Sequence, residues 1–336
     1  MDNPLLVEVL RGGRVESSHR GAVAVVDPEG RRMLALGDVA RPVYPRSAIK
    51  PLQALVLVES GAADRFGLGP EELAIACASH GGEEGHVAAV TRMLERARLD
   101  PSALKCGVHW PLHQASAHAL ARAGRVATAL HNNCSGKHAG FLCAACALGA
   151  DRGSYVEPDH PVQRAVKAAL EDLAGCSIPD AARAVDGCSV PTWAMPLEAV
   201  ARAFARFGTG KGISRERADA ALRLWAACTQ MPWHVAGSGR FCTELMRRFG
   251  SRLLVKSGAE GVCCAALPEL GLGIAVKCDD GAGRAAEVMM AATLARLLAG
   301  NADRAALSPF VRRPLQNWNN ITVGEIRPGE LLAPPE

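Results

Sequence analysis

Apolar and polar positions change rhythm twice along the chain. Over residues 5–9, 21–26 and 32–36, short apolar or alternating runs are separated by Gly12-Gly13 and by Asp27-Pro28-Glu29-Gly30, a pattern that predicts a β-meander. The far end repeats it: residues 252–256, 261–267 and 271–277 read as three short strands split by Gly and Pro turns, and 285–298 as an apolar, Ala- and Leu-rich helix. Between these ends the spacing turns helical, over 86–98, 161–173, 197–207 and 217–229. The pattern predicts a mixed α/β (α+β) fold: a largely antiparallel sheet built from the N- and C-terminal segments, packed on helices, with a helical middle lobe. We read residues 1–336 as one catalytic unit, its sheet lobe from about 1–45 and 240–310 and its helical lobe from about 46–239, with a site between the lobes. After Pro309 the irregular, Asn- and Pro-rich sequence predicts a surface tail.

Composition narrows the function classes. The chain is 49% hydrophobic and 21% charged, enough for a substantial core. A net charge of +4 without a basic stripe, and only 4% aromatic residues, argue against nucleic acid. No apolar run reaches the roughly 18 residues of a membrane span, and the start Met1-Asp2-Asn3-Pro4 is unlike a secretory signal, so a cytoplasmic protein is expected. Twelve cysteines then imply free thiols rather than a disulfide framework. Lysine is the rare base, with seven against 31 arginines. A lysine kept where arginine is the default suits a task that needs an amine able to lose its proton.

Five segments could carry chemistry. In Arg46-Ser47-Ala48-Ile49-Lys50-Pro51, a helix start would put Ser47 and Lys50 on one face, although an N-capping serine near a lysine is common. Residues 73–78 read as a buried strand delivering Ser79-His80-Gly81-Gly82 into a glycine turn, where Ser79 can equally be a helix cap and His80 and His86 polar groups of a helix start. Val255-Lys256-Ser257-Gly258 lies on a late strand. Together, S-x-x-K, S-x-G and K-S-G follow the chain order of S-x-x-K, S-x-N and K-T-G in serine β-lactamases and penicillin-binding proteins. In His131-Asn132-Asn133-Cys134-Ser135-Gly136-Lys137-His138 and Asp186-Gly187-Cys188, a thiolate from each with Lys137 or His138 would make a two-sulfur, one-nitrogen zinc site. Two ordinary buried thiols are the plainer alternative. Cys143, Cys146, Cys263 and Cys264 read as core filler, residues 208–212 as a loop, and Arg240 as a side chain for a carboxylate.

With Val235-Ala236-Gly237-Ser238-Gly239-Arg240 and Lys256-Ser257-Gly258-Ala259-Glu260-Gly261 added, this ordered set resembles the rhizobial-type, zinc-containing L-asparaginases over nearly the whole chain. The resemblance implies a fold similar to serine β-lactamases and penicillin-binding proteins, a homodimer, and hydrolysis of L-asparagine to L-aspartate and ammonia. It implies one serine and lysine tandem at Ser47 and Lys50, a second at Ser79 and Lys256, and zinc on Cys134, Lys137, Cys188 and water. Arg46, His138 and Asp186 would be neighbours; with His80 and Arg240 they are the expected substrate-binding residues. Amide hydrolysis needs a nucleophile, a base, oxyanion stabilisation and a proton for ammonia. The expectation is attack by Ser47 with Lys50 as base and Ser79 and Lys256 relaying the proton, the two serines being exchangeable. Two other readings are a penicillin-binding-type acylase or β-lactamase, and a non-catalytic zinc-binding module.

Overall fold

The computed structural model describes residues 2–298 and 300–334. Eight strands form an antiparallel sheet: β1 (Leu5–Arg11), β2 (Arg14–Val26), β3 (Arg32–Leu36), β4 (Leu254–Ser257), β5 (Val262–Leu267), β6 (Leu272–Cys278), β7 (Arg313–Gln316) and β8 (Thr322–Pro328). Their order is β7-β8-β1-β2-β6-β5-β4, with β3 also on β2. The long β2 changes partners midway, from β1 over its first half to β6 and β3 over its second. Both chain ends therefore meet in one sheet, as the hydrophobic pattern predicts.

Four helices matter for the site and its support: α1 (Pro70–Ala76), α2 (Ser135–Ala147), α3 (Leu197–Thr209) and α4 (Gly283–Leu297). A Cβ at Gly273 on β6 would strike the Ala201 carbonyl of α3, whereas one at Gly21, paired with Cys278, would meet Met289 of α4. Gly273 and Cys278 are an odd number of residues apart, so these helices cover opposite faces of the sheet. That double cover is why β6 is almost wholly buried and reads as a continuous apolar run rather than an alternation.

Two local expectations differ from the structure. Residues 70–76 form helix α1, not a strand: Pro70 starts it, and the Glu72 carboxylate accepts from the Gly69 N–H at 3.0 Å. A short apolar run carries either element, and the start signal lay upstream of it. The tail expected after Pro309 is instead structured: the helix Asn301–Val311 ends there, and β7 and β8 follow, extending the sheet along β1. All twelve cysteines are free. Among the described residues no helix is long and apolar enough to cross a membrane.

Candidate active site

Arg46–Ile49 forms a 3-10 turn that runs into a single α turn, Lys50–Gln53, with Pro51 tolerated in its first turn. Lys50 is fully buried and is drawn into the molecule by acceptors from two other segments. Its Nζ donates to Ala78 O at 2.6 Å and to Ser79 Oγ at 3.0 Å, and lies 3.1 Å from Cys134 Sγ. Ser79 follows α1, and its N–H donates to Val235 O at 3.0 Å, which holds the hydroxyl in place.

Lys256 reaches the same hydroxyl from the sheet. It is 1% exposed on β4, and its Nζ is 3.0 Å from Ser79 Oγ and 2.7 Å from Ser257 O. Two lysine amines thus converge on one serine. Gly258 permits it: a Cβ there would lie 2.8 Å from Pro45 O and 2.9 Å from Ala48 N, so only glycine lets β4 exit against the 46–49 turn. Burial, and then the neighbouring Lys50 charge, push the Lys256 amine down to about 8.

Ser47 is half-buried, and its hydroxyl has no hydrogen-bond partner among the described residues. The Lys50 amine that the sequence spacing offered to Ser47 hydrogen-bonds Ser79 instead.

Cys134 caps α2, Lys137 lies in its first turn, and Cys188 follows the Asp186-Gly187 turn. Lys137 Nζ donates to Cys188 Sγ at 3.0 Å, and Cys188 Sγ lies 3.4 Å from Asp186 Oδ2. Arg46 Nε closes the ring on Asp186 Oδ1 at 2.5 Å. The neighbouring Cys188 thiol, against burial and aided by Lys50 and Lys137, holds the Cys134 thiol well below its usual range. The Cys188 thiol is pushed up correspondingly. Burial opposes charge on Lys137, but the Cys188 and Cys134 sulfurs and Asp186 outweigh it and push its amine up.

The remaining expected residues divide. His80 is fully buried, with Nδ1 accepting from Gly82 N at 3.1 Å and Nε2 on Ser135 Oγ at 2.9 Å. With both nitrogens engaged it offers substrate no free one; it ties the Ser79 turn to α2. His138 is buried with Nδ1 2.7 Å from Tyr155 Oη, while its Nε2 has no hydrogen-bond partner among the described residues. Burial and Lys137 keep that ring well below the usual histidine range. Arg240 is exposed and lines a cavity of about 110 Å³ with Glu83, His113 and Ser238. Glu83 accepts from Ser238 N at 2.9 Å and Ser238 Oγ at 2.7 Å, pinning the Gly81-Gly82 turn to the Gly237 loop.

The sequence model of the L-asparaginase II family matches residues 7–328. The chain belongs to this family. Membership makes it an amidohydrolase, with asparagine as the small-molecule substrate. No curated protein matches the chain. Among solved structures, the asparaginase chain is similar to a beta-lactamase from Mycobacterium bovis, at 14% identity over 79% of this chain and 89% of that one, with a TM-score of 0.40. It is also similar to a putative beta-lactamase from Bacteroides dorei, at 14% identity over 77% and 84%, with a TM-score of 0.43.

Two parts of this asparaginase escaped the sequence reading. Tyr155 meets His138 only through tertiary packing, and no local motif marks it. His19, Cys278 and Asp280 bring one ligand atom each within 4.8 Å of one another, on β2, at the end of β6 and just beyond it rather than around Ser79.

Proposed function

We propose that this chain hydrolyses the side-chain amide of L-asparagine to L-aspartate and ammonia, with Ser79 as nucleophile and Lys256 as its base. One observation carries the reading: the Ser79 hydroxyl lies 3.0 Å from each of two buried lysine amines. It takes the exchanged assignment of the two serines. With the Lys256 amine near 8, about a tenth is neutral at pH 7, enough to accept a proton from the attacking hydroxyl.

Ser79 Oγ attacks the side-chain carbonyl carbon as Lys256 takes its proton. The tetrahedral intermediate collapses to an aspartyl ester on Ser79, and the proton on Lys256 leaves with ammonia. Water, deprotonated by the same amine, then cleaves the ester to L-aspartate and free Ser79. Lys50 positions the hydroxyl and adds positive charge beside the developing oxyanion. Ser47, whose hydroxyl has no partner among the described residues, is free to contact the substrate, and the exposed Arg240 in the cavity lining suits the α-carboxylate.

Cys134, Lys137 and Cys188 would hold a zinc ion. Two sulfurs, one already favoured as thiolate, and a nearby amine make an N/S donor set that zinc accepts, provided Lys137 gives up its proton. When bound, the ion supplies a fixed positive charge that orients a polar group of the substrate. The working form in this reading is a cytoplasmic homodimer.

Ammonia release from L-asparagine tests the assignment. Ser79→Ala is expected to lose about a thousandfold or more in kcat, and Ser47→Ala to lose far less. Full activity in Ser79→Ala would overturn it.

A further inference from the structure

We propose that His19, Cys278 and Asp280 form a second metal site, for a divalent d-block cation such as Zn²⁺ or Co²⁺, separate from the Cys134, Lys137 and Cys188 cluster. The sheet brings two of the donors together. Gly21 pairs with Cys278, and His19 lies two residues from Gly21, so His19 and Cys278 project from the same face, the one covered by α4. Beyond β6 the chain turns sharply, with Asp279 N donating to Arg20 O at 2.9 Å and Ala282 N to Asp280 Oδ1 at 2.9 Å, which swings Asp280 back over the pair.

The donors are already near ligand spacing. His19 Nδ1 is 2.6 Å from Asp280 Oδ2, and Cys278 Sγ is 2.9 Å from Asp280 Oδ1. Around a tetrahedral ion with metal–nitrogen and metal–oxygen bonds of roughly 2.1 Å and metal–sulfur of roughly 2.3 Å, ligand atoms sit about 3.3–3.7 Å apart. Each of these two pairs would part by about 1 Å or less to reach that spacing, and all three ligand atoms already lie within 4.8 Å of one another. His19 and Cys278 are buried, whereas the Asp280 side chain is 49% exposed, giving an entry path and room for a water ligand. His19 has its other nitrogen, Nε2, buried without a partner among the described residues, so the ring's hydrogen bond among them is toward this cluster.

One imidazole, one thiolate and one carboxylate form a borderline donor set that selects zinc or cobalt over the all-oxygen ions magnesium and calcium. On binding, the metal–sulfur bond forms and the Cys278 proton leaves to solvent. Thiolate and carboxylate together balance the charge of the ion.

The test is equilibrium dialysis of the full-length protein against Zn²⁺ or Co²⁺, with bound metal counted per chain. Cys278→Ser and His19→Gln are each expected to lower the count by one, with ammonia release from asparagine retained. In Cys134→Ser/Cys188→Ser protein, cobalt is expected to keep a thiolate-to-metal charge-transfer band that disappears when Cys278→Ser is added. An unchanged metal count in Cys278→Ser, or a cobalt band that survives it in the double variant, would overturn the second site. The count in Cys278→Ser alone decides the matter if the double variant does not fold. Failure of the Ser79 assignment would leave both readouts unaffected.

Discussion

Lys50 holds its amine 3.1 Å from the Cys134 sulfur while the same nitrogen lies 3.0 Å from Ser79 Oγ. One buried side chain therefore joins the Ser79 hydroxyl to the sulfur cluster. Lys50→Met is expected to lower kcat and, in metal-free protein, to raise the pH at which the Cys134 thiolate forms, because a cation and a hydrogen bond that favour the thiolate are both removed. Thiolate absorbance followed against pH reads the second effect, with Cys134→Ser as the blank.

The pH profile follows from Lys256. A base acts only when unprotonated, and this amine sits near 8, so kcat/KM is expected to climb as pH rises and to level off above about 8. Lys256→Met should lose about 10²–10⁴ in kcat/KM and flatten that limb. Lys256→Arg, which keeps charge but does not lose its proton, should be as inactive.

Gly136 sets the distance between α2 and α1, because a Cβ there would strike the Ile75 carbonyl. Gly136→Ala is expected to cost about 1–3 kcal/mol of stability, read by denaturant unfolding. It should also weaken activity, since pushing the helices apart moves Cys134 and Lys137 away from the segment that carries Ser79.

What was legible in the sequence was what is local. Alternation and turn residues marked β1 to β3 and β4 to β6, and the S-x-x-K spacing drew attention to Lys50. Its partner did not show, because Ser79 lies 29 positions away and their meeting depends on how α1 ends against the 46–50 segment. Residues 73–78 misled because an apolar stretch that short lacks a period of its own. Pro314 and the asparagines of residues 317–320 hid β7 and β8, which are edge and near-edge strands, where proline costs little. The tie of His80 to Ser135 had no sequence signal, since each side chain is locally an ordinary turn or helix-start residue.

Removing metal separates positioning from chemistry. If the ion on Cys134, Lys137 and Cys188 orients substrate, chelation raises KM more than it lowers kcat, and added zinc restores the difference. The restoring power should fade as pH drops, because Lys137 and both thiols must shed protons to bind. Steady-state ammonia release before and after dialysis with a chelator measures it.

The most direct measurement is to find the acylated serine. Trypsin cuts after Arg65, so Ser47 and Ser79 fall in different peptides. Acid quench during turnover of L-asparagine, followed by peptide mass mapping, is expected to find the aspartyl ester on Ser79. The ester on the Ser47 peptide would contradict the account.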